Sequence, residues 1–192
     1  ARVFAYPYTG YWMDVGTVAS YWQAHMDRLS PSPPLKLYNR DWVIHTRTEE
    51  RPPARLPGTA KIFASMLCDG CFIDEGATVE SSVLAPGAIV RAGAVVRESI
   101  LGVDSVVESG AVVERAVLDK RSTVRQGARV GWGVRDQNIQ IALVGKNSEV
   151  PSNCTIEPTA EVGTDVIESD YEGKTILRAG ETITTRRLAN EI

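Results

Sequence analysis

The chain has 192 residues, with 21 lysines and arginines against 24 aspartates and glutamates, for a net charge of −3. That balance gives no electrostatic reason to expect nucleic acid or an anionic membrane as a partner, and no apolar run approaches the roughly 20 residues needed to span a bilayer. Three cysteines, Cys68, Cys71 and Cys154, do not make a disulfide framework, so a reduced, cytoplasmic protein is the expectation.

The chain starts in Ala1-Arg2-Val3-Phe4 with no initiator methionine and no visible signal peptide, which suggests a fragment or a processed chain. Val3-Phe4-Ala5-Tyr6 reads as a strand. Gly10-Tyr11-Trp12-Met13-Asp14-Val15-Gly16-Thr17 reads as a tight aromatic loop. Thr17 can cap a helix that carries Val18, Tyr21, Trp22, Met26 and Leu29 on one apolar face. Asp14 stands just before that helix start. A carboxylate there can help hold Mg²⁺ at a sugar phosphate, or it can simply cap and solvate. His25 lies on the helix and is expected to pack or cap. Without a larger core beside them, Phe4, Tyr6, Trp12, Trp22 and Met26 are expected to be exposed.

Cys68 and Cys71 form a C-x-x-C, but a zinc site would need a second pair. Cys71 shares a column with Ala88, Ser105 and Ser122, which points instead to a position that takes small residues.

From here the chain repeats every seventeen residues. Gly76, Gly93, Gly110 and Gly127 mark the period, each followed by alanine, with Val79, Val96, Val113 and Val130 three positions beyond each glycine. The same interval links Val83, Ile100 and Val117, and also Leu84, Leu101 and Leu118. A fixed short period means one structural unit stacked on itself. Within each unit the apolar positions return about every six residues, which predicts three short strands per turn and a triangular parallel coil rising ~4.8 Å per turn. Exposed positions then form charged columns: Glu80, Arg97 and Glu114, and, with the signs reversed, Arg91, Glu108 and Arg125. These read as solvated ladders that help to fix register, the alternative being a phosphate-binding surface.

Gly131-Trp132-Gly133-Val134-Arg135-Asp136-Gln137-Asn138 breaks the pattern and is expected to leave the coil as a loop. A six-residue rhythm resumes at Val144, Val150, Ile156 and Val162. Ile176, Leu177, Ile183 and Thr184 to Leu188 are expected to be short extended segments closing the end, because a terminal unit needs a polar or covered face.

The hexapeptide pattern resembles the left-handed parallel β-helix of many acyltransferases and sugar nucleotidyltransferases, and the handedness comes from that resemblance. The loop Gly10–Thr17, the following Tyr21-Trp22-Gln23-Ala24-His25-Met26-Asp27, Leu37-Tyr38-Asn39-Arg40-Asp41-Trp42-Val43-Ile44-His45-Thr46-Arg47, Pro52-Pro53-Ala54-Arg55 and Ser65 to Cys71 resemble bacterial ADP-glucose pyrophosphorylases (glucose-1-phosphate adenylyltransferases). The likeness runs to about Gly131. It implies a mainly β chain, with residues 1–30 as the strand-loop-helix end of an α/β catalytic domain, 31–60 as a linker and 61–192 as a β-helix for regulation and subunit assembly. The implied activity joins ATP and glucose 1-phosphate into ADP-glucose and pyrophosphate, for glycogen synthesis, in a cytoplasmic homotetramer. Asp14 is then the catalytic and Mg²⁺-ligating residue and Trp12 lines the sugar-phosphate side. The family's Gly-rich nucleotide loop and second metal aspartate do not occur here, so this chain alone is expected to be inactive. Anionic effectors imply cationic partners, for which Arg55, Lys174, Arg178, Arg186 and Arg187 are candidates, each alternatively a solvated surface charge.

Three rivals remain at this stage. A hexapeptide acyltransferase would need a histidine base in the coils, whereas His25 and His45 both precede them. Another sugar-1-phosphate nucleotidyltransferase would choose its base in residues not present here. A non-catalytic regulatory paralogue fits the coils as well, though the retained Asp14 argues against it.

Overall fold

A computed structural model describes residues 1–46, 49–134 and 138–187. Arg47 of the linker motif, the middle of the break at 135–137, and Leu188 lie outside them. Most of the chain winds into a left-handed parallel β-helix of about seven turns with three flat faces. The first face stacks Lys61–Phe63, Thr78–Glu80, Val95–Arg97, Val112–Glu114, Arg129–Val130, Thr155–Ile156 and Ile176–Leu177. The second stacks Met66–Leu67, Val83–Leu84, Ile100–Leu101, Ala116–Leu118, Ala142–Val144, Glu161–Val162 and Thr182–Ile183. The third holds Phe72–Ile73, Ile89–Val90, Val106–Val107, Thr123–Val124 and Glu149–Val150.

Side chains alternate across each short strand, so one residue in two points inward. On the first face Val79 pairs with Val96, Val96 with Val113 and Val113 with Val130, and all four are buried. Leu84, Leu101 and Leu118 do the same on the second face, and Ile73, Val90, Val107 and Val124 on the third. The seventeen-residue period is therefore the length of one turn. The break lengthens a single turn, since the next partner of Val130 is Ile156 and that of Leu118 is Val144. Above it Val144 pairs with Val162, one residue longer than the earlier period, and Val144, Val150, Ile156 and Val162 are all buried.

The corners explain the repeated glycines. Gly76, Gly93, Gly110 and Gly127 turn the chain from the third face to the first, with φ of 67, 67, 68 and 70°. This left-handed conformation costs an ordinary side chain about 1 kcal/mol or more. Asn153 takes the place one turn later (φ 58°), as asparagine tolerates this region better than most residues. At another corner buried serines supply the missing backbone partners. Ser82 Oγ donates to the Glu80 carbonyl at 2.7 Å and accepts the Ser99 N–H at 3.1 Å, so the polar groups closed off from water are paired.

Both ends are finished. Gly70 N–H donates to the Pro52 carbonyl, Arg55 N–H to Cys71, and Ile73 N–H to Arg55, so Pro52 to Arg55 add a rung beneath the third face. At the other end a short 3₁₀ turn, Glu168–Tyr171, closes the core. Tyr171 is buried and its hydroxyl donates to the Glu149 carbonyl at 3.0 Å. Ile176–Leu177 and Thr182–Ile183 are strands as expected, whereas Thr184 to Arg187 are not.

The helix α1 (Val18–Met26) forms where Thr17 predicts it. Thr17 Oγ1 accepts the Ser20 N–H and Ser20 Oγ accepts the Thr17 N–H, each at 3.1 Å, a reciprocal cap. It lies on the second face. Trp22 is buried with Ile100 and Ile141, and Met26, Val117 and Leu143 pack around them. This corrects the expectation that Trp22 and Met26 are exposed. The outward column Ile100–Val117–Leu143 is apolar and gives them a surface to cover. Phe4, Tyr6 and Trp12 remain exposed, at 80, 88 and 75 %. Val3 to Tyr6 are not a strand either, since they have no ladder partner among the described residues.

Candidate functional site

The loop from Gly10 to Thr17 is held from both sides of its exposed tip. Behind Thr17 stands the capped helix. Ahead, Tyr11 Oη donates to Asp27 Oδ2 at 2.9 Å, and Gln23 Nε2 donates to Asp27 Oδ1 at 2.8 Å. Burial and the neighbouring Asp27 carboxylate raise the Tyr11 phenol, so it stays a proton donor at neutral pH. Between these anchors Trp12 and Asp14 face solvent. Asp14 Oδ1 accepts the Gly16 N–H at 3.1 Å, closing a small turn.

A Mg²⁺ ion takes six oxygen ligands, commonly one or two carboxylates with waters and substrate phosphates. Asp14 offers one such oxygen. Among the described residues no group of three or more His, Cys, Asp or Glu is placed to hold a metal. Burial pushes the Cys68 and Cys71 thiols up, and Cys154 up to about 11, which disfavours the thiolate a metal ligand would need. Cys71 Sγ donates to the Ala85 carbonyl at 3.3 Å, in keeping with a packed small residue. His25 Nδ1 donates to the Tyr21 carbonyl at 2.9 Å, and burial lowers its pKa, which favours the neutral ring.

Beside α1 the second face leaves a groove of about 550 Å³, walled by Val15 and Tyr21 and floored by Val117, Leu143 and Gly145, with Glu161 at its rim. At Gly145 the next turn packs close, so that a Cβ there would sit 2.5 Å from the Gly163 carbonyl group. The Asp14 loop therefore opens next to a cleft whose other wall is the coil.

The five candidate effector cations are not brought together. Arg55 sits on the first rung, with its guanidinium 5.5 Å from the Phe72 ring centroid. The other four belong to the opposite end. Arg178 pairs with Glu157 at 3.7 Å, Arg186 with Glu172, and Arg187 donates to the Asp165 carbonyl. Lys174 is exposed. The charged columns form as ladders in part: Arg97 reaches Glu80 at 3.3 Å and Glu114 at 3.9 Å, and Arg125 reaches Glu108 at 3.2 Å and Glu149 at 2.9 Å. Arg91 departs from its column and lies over Phe72 at 5.9 Å, because Glu108 is already taken by Arg125 and by the Gln126 N–H. Sequence reasoning did not find Phe72 as a meeting point. Its only signal is an aromatic residue at the foot of a column that continues as Ile89, Val106, Thr123 and Glu149.

Residues 52–145 match the family model "GlmU-like, C-terminal hexapeptide". A glucose-1-phosphate adenylyltransferase of Thermomicrobium roseum is 47 % identical over 192 residues, covering 95 % of this chain and 44 % of that protein. One of Pseudothermotoga lettingae is 47 % identical over 72 residues, 38 % of this chain and 17 % of that one. Among solved structures, the acetyltransferase domain of PglB from Neisseria gonorrhoeae FA1090 in complex with acetyl coenzyme A aligns with a TM-score of 0.42 at 13 % identity, over 70 % of this chain and 56 % of that one. The chain thus resembles glucose-1-phosphate adenylyltransferases over nearly its whole length, and spans less than half the length of the Thermomicrobium protein. No helix among the described residues is long and apolar enough to cross a membrane.

Proposed function

We propose that this chain is the regulatory and assembly portion of a glucose-1-phosphate adenylyltransferase, which joins ATP and glucose 1-phosphate into ADP-glucose and pyrophosphate. One observation carries the reading. The 47 % identity extends over 95 % of the chain, so it takes in most of the first sixty residues and not only the coil. Stacked hexapeptides occur on enzymes of many activities, whereas the Gly10–Thr17 loop and the segment to Arg55 are not repetitive. In this reading residues 1–30 end the catalytic domain, 31–60 link it, and 61–192 regulate and assemble a cytoplasmic homotetramer.

Asp14 then contributes one carboxylate to Mg²⁺ and Trp12 faces the sugar phosphate, both completed by parts of the protein outside this chain. The exposed Phe4, Tyr6 and Trp12 are a surface that a larger catalytic core would cover. The chain alone is inactive. Anionic metabolites regulate the enzyme. Of the five cations named for them, Arg55, Lys174 and Arg187 have no carboxylate partner among the described residues, and since Arg187 is held by the Asp165 carbonyl, Arg55 and Lys174 are the readier sites.

The test uses the full-length protein with glucose 1-phosphate and Mg²⁺ and, in turn, ATP, GTP, UTP, CTP and dTTP. Strong ATP preference supports the reading. Preference for another nucleotide keeps the fold and reassigns the reaction. No product with any of them leaves a non-catalytic paralogue. ADP-glucose formed by the isolated 192-residue chain would refute the assignment of catalysis elsewhere.

A further inference from the structure

We propose that the third face is a contact for a second copy of this chain, packed antiparallel about a two-fold axis that passes between the turns of Arg91 and Glu108. The edge of that face carries Asp74, Arg91, Glu108 and Arg125, which follow the stacked inward residues Ile73, Val90, Val107 and Val124. Each of the four donates its N–H to the carbonyl of the inward residue one turn on, so they stand in one column. Beside them the outward residues Phe72, Ile89, Val106 and Thr123 form a half-buried, mostly apolar column.

A two-fold contact must match a surface to itself. With the axis along the strands, a column faces its own copy in reverse order. The signs of Asp74, Arg91, Glu108 and Arg125 alternate over an even number of turns. Reversal therefore sets Asp74 against the partner's Arg125 and Arg91 against the partner's Glu108, and each pair occurs twice. Copies packed parallel and in register would oppose every charge to itself. On the first face the column Glu80, Arg97 and Glu114 is odd in number, and reversal about its centre puts like on like. The second face is occupied by α1. Within the chain Arg91 meets no carboxylate among the described residues, because Glu108 is held by Arg125 and by the Gln126 N–H. A carboxylate accepts several N–H groups, so Glu108 can take the partner's Arg91 without releasing Arg125. Ile89 then lies against the partner's Val106 and shields the central pairs from water. Four turns at the spacing of stacked strands make a patch about 15–20 Å tall. That is small for a stable interface, so the isolated chain pairs weakly.

The assignment rests on the assembly role proposed for residues 61–192 and gives it a face, but it is read without turnover, so it and the proposed reaction can fail separately. Sedimentation of the 192-residue chain at concentrations up to about 1 mM should show a monomer–dimer equilibrium that weakens with added salt. Arg91→Glu and Glu108→Arg each set like charges against one another twice, and each should weaken the dimer about tenfold. The two altered columns are complementary to each other. An equal mixture of the variants should therefore recover the association that neither shows alone, which a misfolded variant would not do. In the unsubstituted chain, amide shifts on dilution should centre on Ile89, Arg91, Val106 and Glu108, a reading independent of how the variants fold. A monomer at every concentration, variants that associate as the unsubstituted chain does, or shifts centred elsewhere would overturn the contact.

Discussion

The indole N–H of Trp22 donates to the backbone carbonyl of Glu98 at 2.6 Å, across 76 residues of sequence. Glu98 occupies a corner of the coil with φ of 46°, so its carbonyl is turned away from the ladders and free to accept. The bond and the apolar contact of Trp22 with Ile100 and Ile141 fix α1 to the second face. Replacing Trp22 by alanine should cost about 3 kcal/mol of docking free energy, while phenylalanine, which keeps the ring, should cost about 1–2 kcal/mol for the orphaned carbonyl. Amide exchange of Val18–Met26 should accelerate in that order, with the coil's protection unchanged. Equal protection in all three proteins would mean that the helix is held elsewhere.

Two glycines at first sight equivalent should respond differently to alanine. Gly93 has φ of 67° and open space where a Cβ would stand, so Gly93→Ala should cost only the backbone strain of about 1 kcal/mol. Gly145 has no such φ, yet its Cβ would meet the Gly163 carbonyl carbon and oxygen at 2.5 Å. Backbone cannot move aside as a side chain can, so Gly145→Ala should cost about 3 kcal/mol. Urea denaturation of the two variants checks the order, which a common cost for both would contradict.

That contrast also marks what sequence could reveal. The seventeen-residue period of Gly76 to Gly127 is a consequence of turn length, and a repeat exposes it because every turn obeys the same geometry. Val144, Val150, Ile156 and Val162 were legible for the same reason. The docking column was half legible. Ile100 and Val117 share a period, but their cover is a helix some eighty residues away, and Leu143 joins them only after an insertion of unpredictable length. The ion pairs of Arg178 and Arg186 and the hydrogen bond from Arg187 to the Asp165 carbonyl obey no period, because the closing turn is irregular. The meeting of Arg55 and Arg91 at Phe72 depends on Glu108 choosing Arg125, a competition between side chains that no spacing encodes.

Arg51 reaches across the corner to Asp104, with Nη1 at 2.6 Å from Oδ1 and Nη2 at 3.0 Å from Oδ2. Gly87 makes room for it, since a Cβ there would lie 2.1 Å from Arg51 Nη1. The guanidinium beside Asp104 holds its carboxyl below the usual carboxylate range. A lowered folded value means that the pair's contribution is complete above the ordinary carboxylate pKa and is lost as pH falls through the lowered one. Asp104→Asn should therefore reduce stability at pH 7 and have little effect near pH 2. An equal effect at both would show that the charge is not the operative part.

The hydrogen bond from Tyr11 to Asp27 predicts a separable effect on the proposed reaction in the full-length enzyme. If Asp14 holds Mg²⁺ there, Asp14→Asn removes a charge at the metal and should lower kcat on the order of a hundredfold. Tyr11→Phe leaves every ligand in place but releases one anchor of the loop that presents Trp12 and Asp14. Its effect should fall mainly on KM for glucose 1-phosphate and on the Mg²⁺ needed for half-maximal rate, with kcat recovered at saturation, because the ordered loop must be restored before substrate binds. The melting temperature of the coil should not change in either variant, since neither side chain touches the core. A loss of kcat in Tyr11→Phe that saturating Mg²⁺ and substrate do not recover would place Tyr11 in the chemistry itself and not in the positioning of the loop.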